Sequence, residues 1–249
     1  MSTMSHSTHD GLAGQTALVT GATSGLGRAI ALQLARDGAE VVVHGRDPER
    51  GAATVAAIEA EGGRARFVAA DLSDPGAVRQ FAAQVGDVDI LINNAGFSAW
   101  GPTATFDDAA FDGMFASNVR APFFLTAALA PGMAERGFGS IINIGSMAGS
   151  LGLAEGAAYG ATKAAVASLA KAWAAEYSPQ GVRVNTVAPG PIHTRPEARE
   201  LFDTLGATTA MNRAAQPEEI AEVVAFLASP AASYVTGATV AADGGRTAI

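Results

Sequence analysis

The sequence predicts a doubly wound α/β fold, with a seven-stranded, mostly parallel sheet and helices on both of its faces. The chain has 249 residues, of which 49% are hydrophobic, so it is long enough to bury one large core. Short β-branched runs alternate with longer Ala-rich amphipathic segments along the whole chain. The β-branched runs are continuously apolar, which is typical of strands that are covered on both sides.

The predicted strands are seven short apolar runs. They cover residues 17–20, 41–44, 66–69, 90–93, 141–144, 184–187 and 239–242. A strand exposed to water on one face would alternate apolar and polar side chains, and these runs do not. The sheet is therefore expected to lie between two layers of helices.

The predicted helices fill the segments between these strands. They begin near Gly25, Pro48, Asp74, Asp107, Tyr159 and Pro217. Three of the starts place a proline in the first helical turn, where its missing N–H leaves no hydrogen bond unmade. The alternation of strands and helices predicts a parallel sheet with helices on both faces.

One domain is expected to span residues 12–249, after a disordered polar tail at residues 1–11. No linker, charge block, low-complexity tract or repeat divides the chain. The least regular stretch is 191–215, which is rich in Pro, Thr and charge and follows the sixth strand. Because loops at the carboxyl ends of parallel strands line the ligand crevice, this stretch is a candidate lid.

Composition excludes several classes of protein. The sequence has no Cys, which excludes a disulfide scaffold and a thiol catalyst. Its 16 Lys and Arg against 24 Asp and Glu give a net charge of −8, which disfavours nucleic acid as a partner. Its four His are scattered, so no metal site is expected. No apolar run is long enough to cross a bilayer and the start lacks a secretory signal, so a cytoplasmic protein without a membrane partner is expected.

A glycine-rich turn joins the first strand to the first helix. Gly21, Gly25 and Gly27 stand in the pattern T-G-x-x-x-G-x-G. Glycines allow a tight turn and a close approach of backbone, and the helix N-terminus offers N–H groups and partial positive charge to a pyrophosphate. Taken alone, the same glycines are also compatible with an ordinary strand-to-helix turn.

Further motifs follow in order, and with them the chain resembles the short-chain dehydrogenase/reductase family from about residue 12 onward. These are Asn93-Asn-Ala-Gly96 after the fourth strand, Asn118 in the next helix, Ser146 after the fifth strand, Tyr159-Gly-Ala-Thr-Lys163, and Pro189-Gly190 after the sixth strand. The resemblance implies a single Rossmann-like domain that binds a nicotinamide dinucleotide. It also implies hydride transfer between that cofactor and an alcohol or a carbonyl.

The resemblance implies four catalytic residues: Asn118, Ser146, Tyr159 and Lys163. Tyr159 would exchange a proton with the reacting oxygen, Ser146 would hold that oxygen, and Lys163 would hydrogen-bond the nicotinamide ribose. A free tyrosine has a pKa near 10, so working near pH 7 requires a shift of roughly 3 units, or about 4 kcal/mol. We expect the Lys163 ammonium, one helical turn away, and the positive charge of an oxidised nicotinamide to supply much of it.

Pro122 stands four residues after Asn118 within the predicted helix at 111–129. Proline has no N–H, so the main-chain carbonyl of Asn118 is expected to lose its partner. The freed carbonyl could hold a water that connects Lys163 to solvent, in the proton relay that the resemblance implies. The alternative is a simple proline kink without a chemical role.

The resemblance also implies the residues that hold the cofactor. The glycine loop would bind the pyrophosphate, Arg46 the adenosine ribose, Asp71 and Leu72 the adenine, and the segment after the sixth strand the nicotinamide. The predicted cofactor-binding residues are Gly21, Thr23, Ser24, Gly25, Leu26, Gly27, Arg46, Asp71, Leu72, Asn93, Ala95, Gly96, Tyr159, Lys163, Pro189, Gly190, Ile192 and Thr194. Asn93 is also expected to brace the sheet, and Asp71 is equally compatible with a helix cap or a turn.

The end of the second strand predicts NADP(H) in preference to NAD(H). A carboxylate there would pair with the ribose diol, but the expected position holds Gly45, and Arg46 follows it. An arginine can grip a 2′-phosphate through two hydrogen bonds. Two observations leave NAD(H) open: Ser24 stands where many NADP-preferring relatives have a second basic residue, and Arg46 could be an ordinary surface residue.

The substrate is expected to be a small carbonyl or alcohol compound, such as a 3-oxoacyl thioester, a sugar or a small ketone. Segments 98–101 and 151–158 and the stretch after Ile192 would wall its pocket, with Trp100, Leu151 and Leu153 making part of it apolar. Glu155 and Arg195 could contact a polar substrate or could simply be solvated. Fold and chemistry alone do not name the substrate.

Self-association is also expected, because the Tyr159 helix is apolar on more than one face. The resemblance implies that this helix and the Asn118 helix pair across subunits in a homodimer or, more often, a homotetramer. Burial inside a monomer is the alternative.

The alternatives to this oxidoreductase are an NAD(H)-dependent alcohol or polyol dehydrogenase, a non-catalytic cofactor-binding regulatory protein, and an epimerase or dehydratase. The intact set of Ser146, Tyr159 and Lys163 argues against a pure binding protein. The epimerase and dehydratase branch generally has a longer chain and a different glycine spacing, and this sequence has neither feature.

Overall fold

The computed structural model describes residues 11–249, so all of the predicted tail except Gly11 lies outside the described residues. All strands of the described part form one sheet. They are β1 (Thr16–Val19), β2 (Glu40–Gly45), β3 (Arg64–Ala69), β4 (Ile90–Asn93), β5 (Gly139–Ile144), β6 (Val182–Pro189) and β7 (Thr239–Ala242). Their order is β3-β2-β1-β4-β5-β6-β7, and every neighbouring pair is parallel. The doubly wound α/β prediction is confirmed, and the sheet is entirely rather than mostly parallel.

The predicted strands all exist, and their ends differ by a few residues. β4 and β7 have the predicted bounds, whereas β2, β3, β5 and β6 are longer than predicted. β1 ends at Val19 instead of Thr20. Thr20, directly after β1, has a hydroxyl that bonds to the end of β4 and the turn after it. The hydroxyl donates to the Ile92 carbonyl and accepts from the N–H groups of Asn94 and Ala95.

The helices begin close to the predicted positions. They are α1 (Gly25–Arg36), α2 (Pro48–Ala60), α3 (Pro75–Val85), α4 (Asp108–Phe115), α5 (Ala121–Arg136), α6 (Ala157–Tyr177), α7 (Arg199–Gly206) and α8 (Pro217–Ala228). Asp47, Asp74 and Asp107 are N-caps whose carboxylates accept N–H groups of the first turn.

Two predicted segments differ from the structure. The helix predicted over 111–129 is two helices joined by a π-helical turn, Ala116–Arg120. The candidate lid at 191–215 contains α7, and its ends are held together by a parallel bridge between Ile192 and Ala215.

The two faces of the sheet bury two separate apolar clusters. Neighbouring residues of one strand point to opposite faces, so Val19 packs in the cluster formed with α1 and α8, and Leu18 in the cluster formed with α3, α5 and α6. Burial on both faces explains why the strands read as continuous apolar runs. Within residues 11–249, no helix is both long enough and apolar enough to span a membrane.

The strand order creates a crevice at the carboxyl ends of β1 and β4. From β1 the chain winds outward to β2 and β3, and it then returns to pair β4 with the other edge of β1. The crossovers on the two sides leave the sheet in opposite directions at this point. Ligands of doubly wound sheets bind there, and the residues described below surround it.

Candidate active site

The glycine loop between β1 and α1 brings backbone close to any ligand in the crevice. Gly21 and Gly25 have positive φ angles of 65° and 50°. A Cβ on Gly27 would lie 2.2 Å from the carbonyl oxygen of Gly21, so the loop and the helix pack too closely for a side chain there. Ser24 is the N-cap of α1, but its side chain does not cap the helix, which leaves N–H groups of the first turn available to an anion.

Asn94 holds the glycine loop against β4, and sequence reasoning did not single it out. Its side-chain amide donates to the carbonyl oxygens of Thr20 at 2.8 Å and Gly21 at 3.3 Å. Its signal was its position inside the Asn93–Gly96 motif. The neighbouring Asn93 side chain is buried and donates to Asn143 Oδ1 at 2.9 Å, so it braces β4 against β5.

The end of β2 carries a second residue that sequence reasoning missed. His44 is buried, with its Nδ1 atom 3.1 Å from the Gly21 N–H and its Nε2 atom 3.2 Å from the Ala70 carbonyl oxygen. Burial lowers its pKa to about 4, so the ring is neutral at pH 7. The available signal was a polar residue inside an otherwise apolar strand.

Arg46 and Asp71 lie at the open edge next to His44. Both are exposed, and a Cβ on Gly45 would lie 2.3 Å from Thr23, so the turn around Arg46 packs directly on the glycine loop. The N–H of Ser73 donates to the Asp71 carboxylate at 3.0 Å. This bond, together with the positive charge of Arg46, lowers the pKa of Asp71. Leu72, by contrast, is buried in the core that faces α3 and α5.

A cavity of about 430 Å³ brings the other predicted residues together. Ser146, Tyr159 and Lys163 line it, and so does Leu26, near the start of α1. The full lining is Leu26, Asn94, Gly96, Phe97, Ser98, Ile144, Gly145, Ser146, Tyr159, Lys163, Pro189, Gly190, Ile192, Thr194 and Arg195. Sequence reasoning missed Asn94, Phe97, Ile144 and Gly145 as lining residues.

Tyr159 and Lys163 share one face of α6, as their spacing predicts, but their electrostatics differ from the expectation. Burial raises the pKa of Tyr159, and a hydrogen bond with Ser146 opposes that rise. The Lys163 ammonium donates to the Ile144 carbonyl oxygen at 2.8 Å and lies 5.7 Å from the centre of the Tyr159 ring. Burial lowers the pKa of Lys163 to about 8. Desolvation therefore outweighs the acidifying effect of the Ser146 hydrogen bond on the phenol.

Asn118 lies behind the cavity, in the π-helical turn. Its Oδ1 atom accepts the Phe97 N–H at 3.1 Å, and its Nδ2 atom donates to the Phe97 carbonyl at 2.9 Å and to Thr162 Oγ1 at 3.1 Å. The side chain thus fixes the loop that carries Phe97 and Ser98 to the helix that carries Lys163. The N–H of Ala121 bonds to the Ala116 carbonyl, one residue farther back than in an α-helix, just before Pro122.

The mouth of the cavity is aromatic. The Trp100 ring lies 5.8 Å from the Tyr159 ring, and a Cβ on Gly156 would come within 2.6 Å of Trp100. Trp100 is 48% exposed and Phe97 47% exposed. Glu155 has a left-handed backbone, with φ at 63°, and its carbonyl accepts the Gly101 N–H. Leu151 and Leu153 lie outside the lining of the cavity.

The candidate lid, residues 191–215, has contacts between its first residues and α7. His193, between the lining residues Ile192 and Thr194, lies with Nε2 3.2 Å from an Asp203 carboxylate oxygen of α7. Arg199 of the same helix also approaches Asp203, at 3.8 Å. Arg195, at the start of the lid, also lines the cavity, so the lining contains two basic residues, Lys163 and Arg195.

The residues present fit a nicotinamide dinucleotide. The loop at Gly21, Gly25 and Gly27 leaves no room for side chains and places α1 behind it, as a pyrophosphate requires. The cavity that Tyr159 and Lys163 line also includes Leu26, which directly follows Gly25 of this loop. In residues 11–249, no three His, Asp or Glu side chains are grouped as metal ligands.

Comparisons with known proteins agree with this geometry. A family model described as enoyl-(acyl carrier protein) reductase matches residues 21–247. Gluconate 5-dehydrogenase of Gluconobacter oxydans (strain 621H) is 39% identical over 253 aligned residues, covering 98% of this chain and 99% of that protein. A solved structure described as a short chain dehydrogenase/reductase family protein is 50% identical, with a TM-score of 0.91, and covers 96% of this chain and 99% of its own. The crystal structure of a gluconate 5-dehydrogenase from Burkholderia cenocepacia J2315 in complex with NADP and tartrate is 34% identical, with a TM-score of 0.89, covering 96% and 97%.

Proposed function

The chain belongs to the short-chain dehydrogenase/reductase family, and from its site we propose that it is an NADP(H)-preferring oxidoreductase whose substrate is a small polyhydroxylated acid or sugar derivative. Membership makes it an NAD(P)-dependent enzyme that interconverts alcohols and ketones. The observation that carries the proposal is the meeting of Ser146, Tyr159 and Lys163 with the glycine loop around one cavity.

The residues of the cavity have distinct roles in this proposal. The nicotinamide ring, when bound, supplies or accepts the hydride. Tyr159 gives its phenolic proton to the carbonyl oxygen during reduction and takes a proton from the hydroxyl during oxidation. Ser146 donates a hydrogen bond to the same oxygen and keeps it within reach of Tyr159. Lys163 would bind the ribose hydroxyls and would place its positive charge beside the phenol.

The preference for NADP(H) rests on Arg46. Arg46 is exposed directly after β2, and Gly45, which packs against Thr23 of the glycine loop, has no carboxylate to repel a phosphate. We expect Arg46 to bind the 2′-phosphate through two charge-assisted hydrogen bonds. Asp71, which follows β3 at the same edge, would bind the adenine amino group through its carboxylate.

The Arg46→Met variant tests this preference. Removing the guanidinium should raise the KM for NADPH by about 10- to 100-fold, because such bonds contribute about 1.5 to 3 kcal/mol, and leave the KM for NADH nearly unchanged. Arg50→Met is the matched control, since Arg50 lies four residues farther along on the exposed side of α2. A wild-type enzyme that prefers NADH would contradict the proposal. So would an Arg46→Met variant in which the ratio of the KM for NADPH to the KM for NADH is unchanged.

The substrate class rests on the charge of the cavity and on the relatives. Arg195 and Lys163 are the charged residues of its lining, and no Asp or Glu stands among them. This suits an anionic substrate, as the names gluconate and tartrate in the comparisons also suggest. Ser98 and Thr194 add hydroxyl groups on the same wall.

A substrate panel, followed by absorbance of the reduced cofactor, tests this class. It should include aldonic and hydroxy acids, neutral polyols and 3-oxoacyl thioesters, with Tyr159→Phe as the inactive control. Turnover of acids with a KM that rises in Arg195→Met supports the proposal. The exposed aromatic mouth at Phe97 and Trp100 favours an acyl chain as the second candidate, and preferential turnover of thioesters would select it.

We also propose that the protein is a homo-oligomer, with a tetramer expected. An open groove between α4, α5 and α6 is lined by apolar residues that include Val119, Phe123 and Leu169. Phe123 is 42% exposed there, and alanines of α6 continue the apolar surface. A second copy of this chain, presenting the same face, would cover it.

A further inference from the structure

His44 lies where three segments of the proposed cofactor site meet. The Gly21 N–H of the glycine loop donates to Nδ1 at 3.1 Å, and Nε2 approaches the Ala70 carbonyl at 3.2 Å. Ala70 directly precedes Asp71, and Arg46 follows His44 by two residues. One imidazole therefore joins the pyrophosphate loop, the ribose end and the adenine turn.

The two hydrogen bonds determine the state of the ring. A carbonyl oxygen can only accept, so Nε2 must carry the proton, and Nδ1 is then free to accept from Gly21. The side chain is 3% exposed and packs against Phe81, whose ring centre lies 4.7 Å away. Burial lowers the pKa of the ring and outweighs the hydrogen bond to Ala70 and the negative charge of Asp71, which both raise it, while the positive charge of Arg46 adds to the lowering.

We propose that His44 is a positioning residue for the dinucleotide, which holds Gly21 in the conformation that the pyrophosphate requires. Gly21 has a positive φ, and a Cβ on it would lie 3.0 Å from the backbone of Ala95. Such a turn competes with other conformations in a flexible glycine segment. If the loop is fixed before the cofactor arrives, binding does not have to order it. This inference rests on the proposed cofactor site.

Two variants separate the two hydrogen bonds. Asn places its Oδ1 atom where Nδ1 of His lies, so His44→Asn keeps the acceptor for Gly21. Gln places its amide near Nε2, so His44→Gln keeps the donor to Ala70 and leaves the Gly21 N–H without its partner. Leaving that partly buried N–H unpaired favours other loop conformations.

The experiment measures direct binding of NADPH and of NADH to each variant, by cofactor fluorescence or calorimetry, without any substrate. We expect His44→Gln to raise the dissociation constants of both cofactors by about tenfold, and by equal factors, since both contain the pyrophosphate. We expect His44→Asn to bind within about twofold of the wild type, and kcat at saturating cofactor to stay unchanged in both variants. A role in stability alone would lower the melting temperature and leave both dissociation constants unchanged.

Three results would overturn the inference. His44→Gln could bind both cofactors as tightly as the wild type, or His44→Asn could bind as weakly as His44→Gln. Should His44→Gln fail to fold, nitrogen chemical shifts of His44 in the wild type decide instead, because a proton on Nδ1 at pH 7 is incompatible with the bond from Gly21. If the wild type binds neither dinucleotide, the proposed function falls as well, which distinguishes the two failures.

Discussion

Tyr159 and Lys163 have pKa values that burial moves in opposite directions. The pKa of Tyr159 rises and that of Lys163 falls to about 8, because burial disfavours the charged form of each group. At neutral pH the phenol therefore holds its proton, as an acid that protonates a carbonyl oxygen must. The Lys163 ammonium donates to the Ile144 carbonyl oxygen, and Lys163 lines the cavity together with Tyr159.

Replacing Tyr159 by Phe removes the proton donor and little else. We expect kcat to fall by about 10²- to 10⁴-fold, the usual contribution of a general acid or base, with the dissociation constant of NADPH within about threefold of the wild type. Tyr177→Phe, which makes the same substitution at the end of the same helix, is the control. Steady-state kinetics and a binding titration measure the two quantities, and a Tyr159→Phe enzyme with more than a tenth of wild-type turnover would contradict the assignment.

His44 predicts a loss of stability in acid. Its pKa is about 4 in the folded chain and 6.5 for the ordinary residue, so the unfolded chain binds the proton more readily. The contribution is fully present above pH 6.5 and is lost as the pH falls toward 4. For this one group, the free energy of unfolding should decrease by about 2 kcal/mol between pH 7 and pH 5.

Urea unfolding of the wild type and of His44→Asn at both pH values isolates this contribution. The variant has no titratable group at this position. Between pH 7 and pH 5, its free energy of unfolding should therefore decrease by about 2 kcal/mol less than that of the wild type. Equal decreases in the two proteins would show that His44 already titrates normally in the folded state.

Short sequence patterns predict the residues that share a motif and miss those that act across the fold. Tyr159 and Lys163 were predictable because they are four positions apart on one helix, which places them on the same face. His44 and Asn94 bind the glycine loop from strands that are adjacent only in the folded sheet. The raised pKa of Tyr159 depends on burial, which a motif does not encode.

At the scale of elements, strands and proline-started helices were predictable, and the interruption near Asn118 was only half predicted. Pro122 indicated a missing hydrogen bond, but the π-helical turn that results depends on how Asn118 is held by Phe97 and Thr162. The order of the strands across the sheet was not predicted, because the sequence of a single strand does not name its neighbours.

Pro122→Ala tests the chemical role of that turn. The new N–H would bond the Asn118 carbonyl and convert the π-helical turn toward α-helix, which would withdraw the carbonyl from a proton relay. We expect kcat to fall on the order of tenfold and its pH profile to shift, with the fold retained. Pro131→Ala removes the other proline inside α5 and is the control. Unchanged turnover and pH profile in Pro122→Ala would leave only a proline kink.

At the scale of the whole molecule, the apolar face of α5 and α6 predicts self-association. Phe123→Glu places a charge in the middle of that face, so light scattering should show a shift from tetramer toward smaller species. Phe138→Glu, at an exposed phenylalanine after α5, should leave the assembly unchanged. A wild-type protein that scatters as a monomer would contradict the expectation directly.

The central position of β1 has a consequence for how the chain is made. β1 pairs with β2 on one edge and with β4 on the other, and β4 ends at Asn93. Until the ribosome has released that segment, several seconds after β1 at about 5 to 20 residues per second, the inner edge of the nascent sheet has unpaired N–H and C=O groups. A chain that terminates before residue 90 is therefore expected to be prone to aggregation and to require chaperones or degradation by proteases.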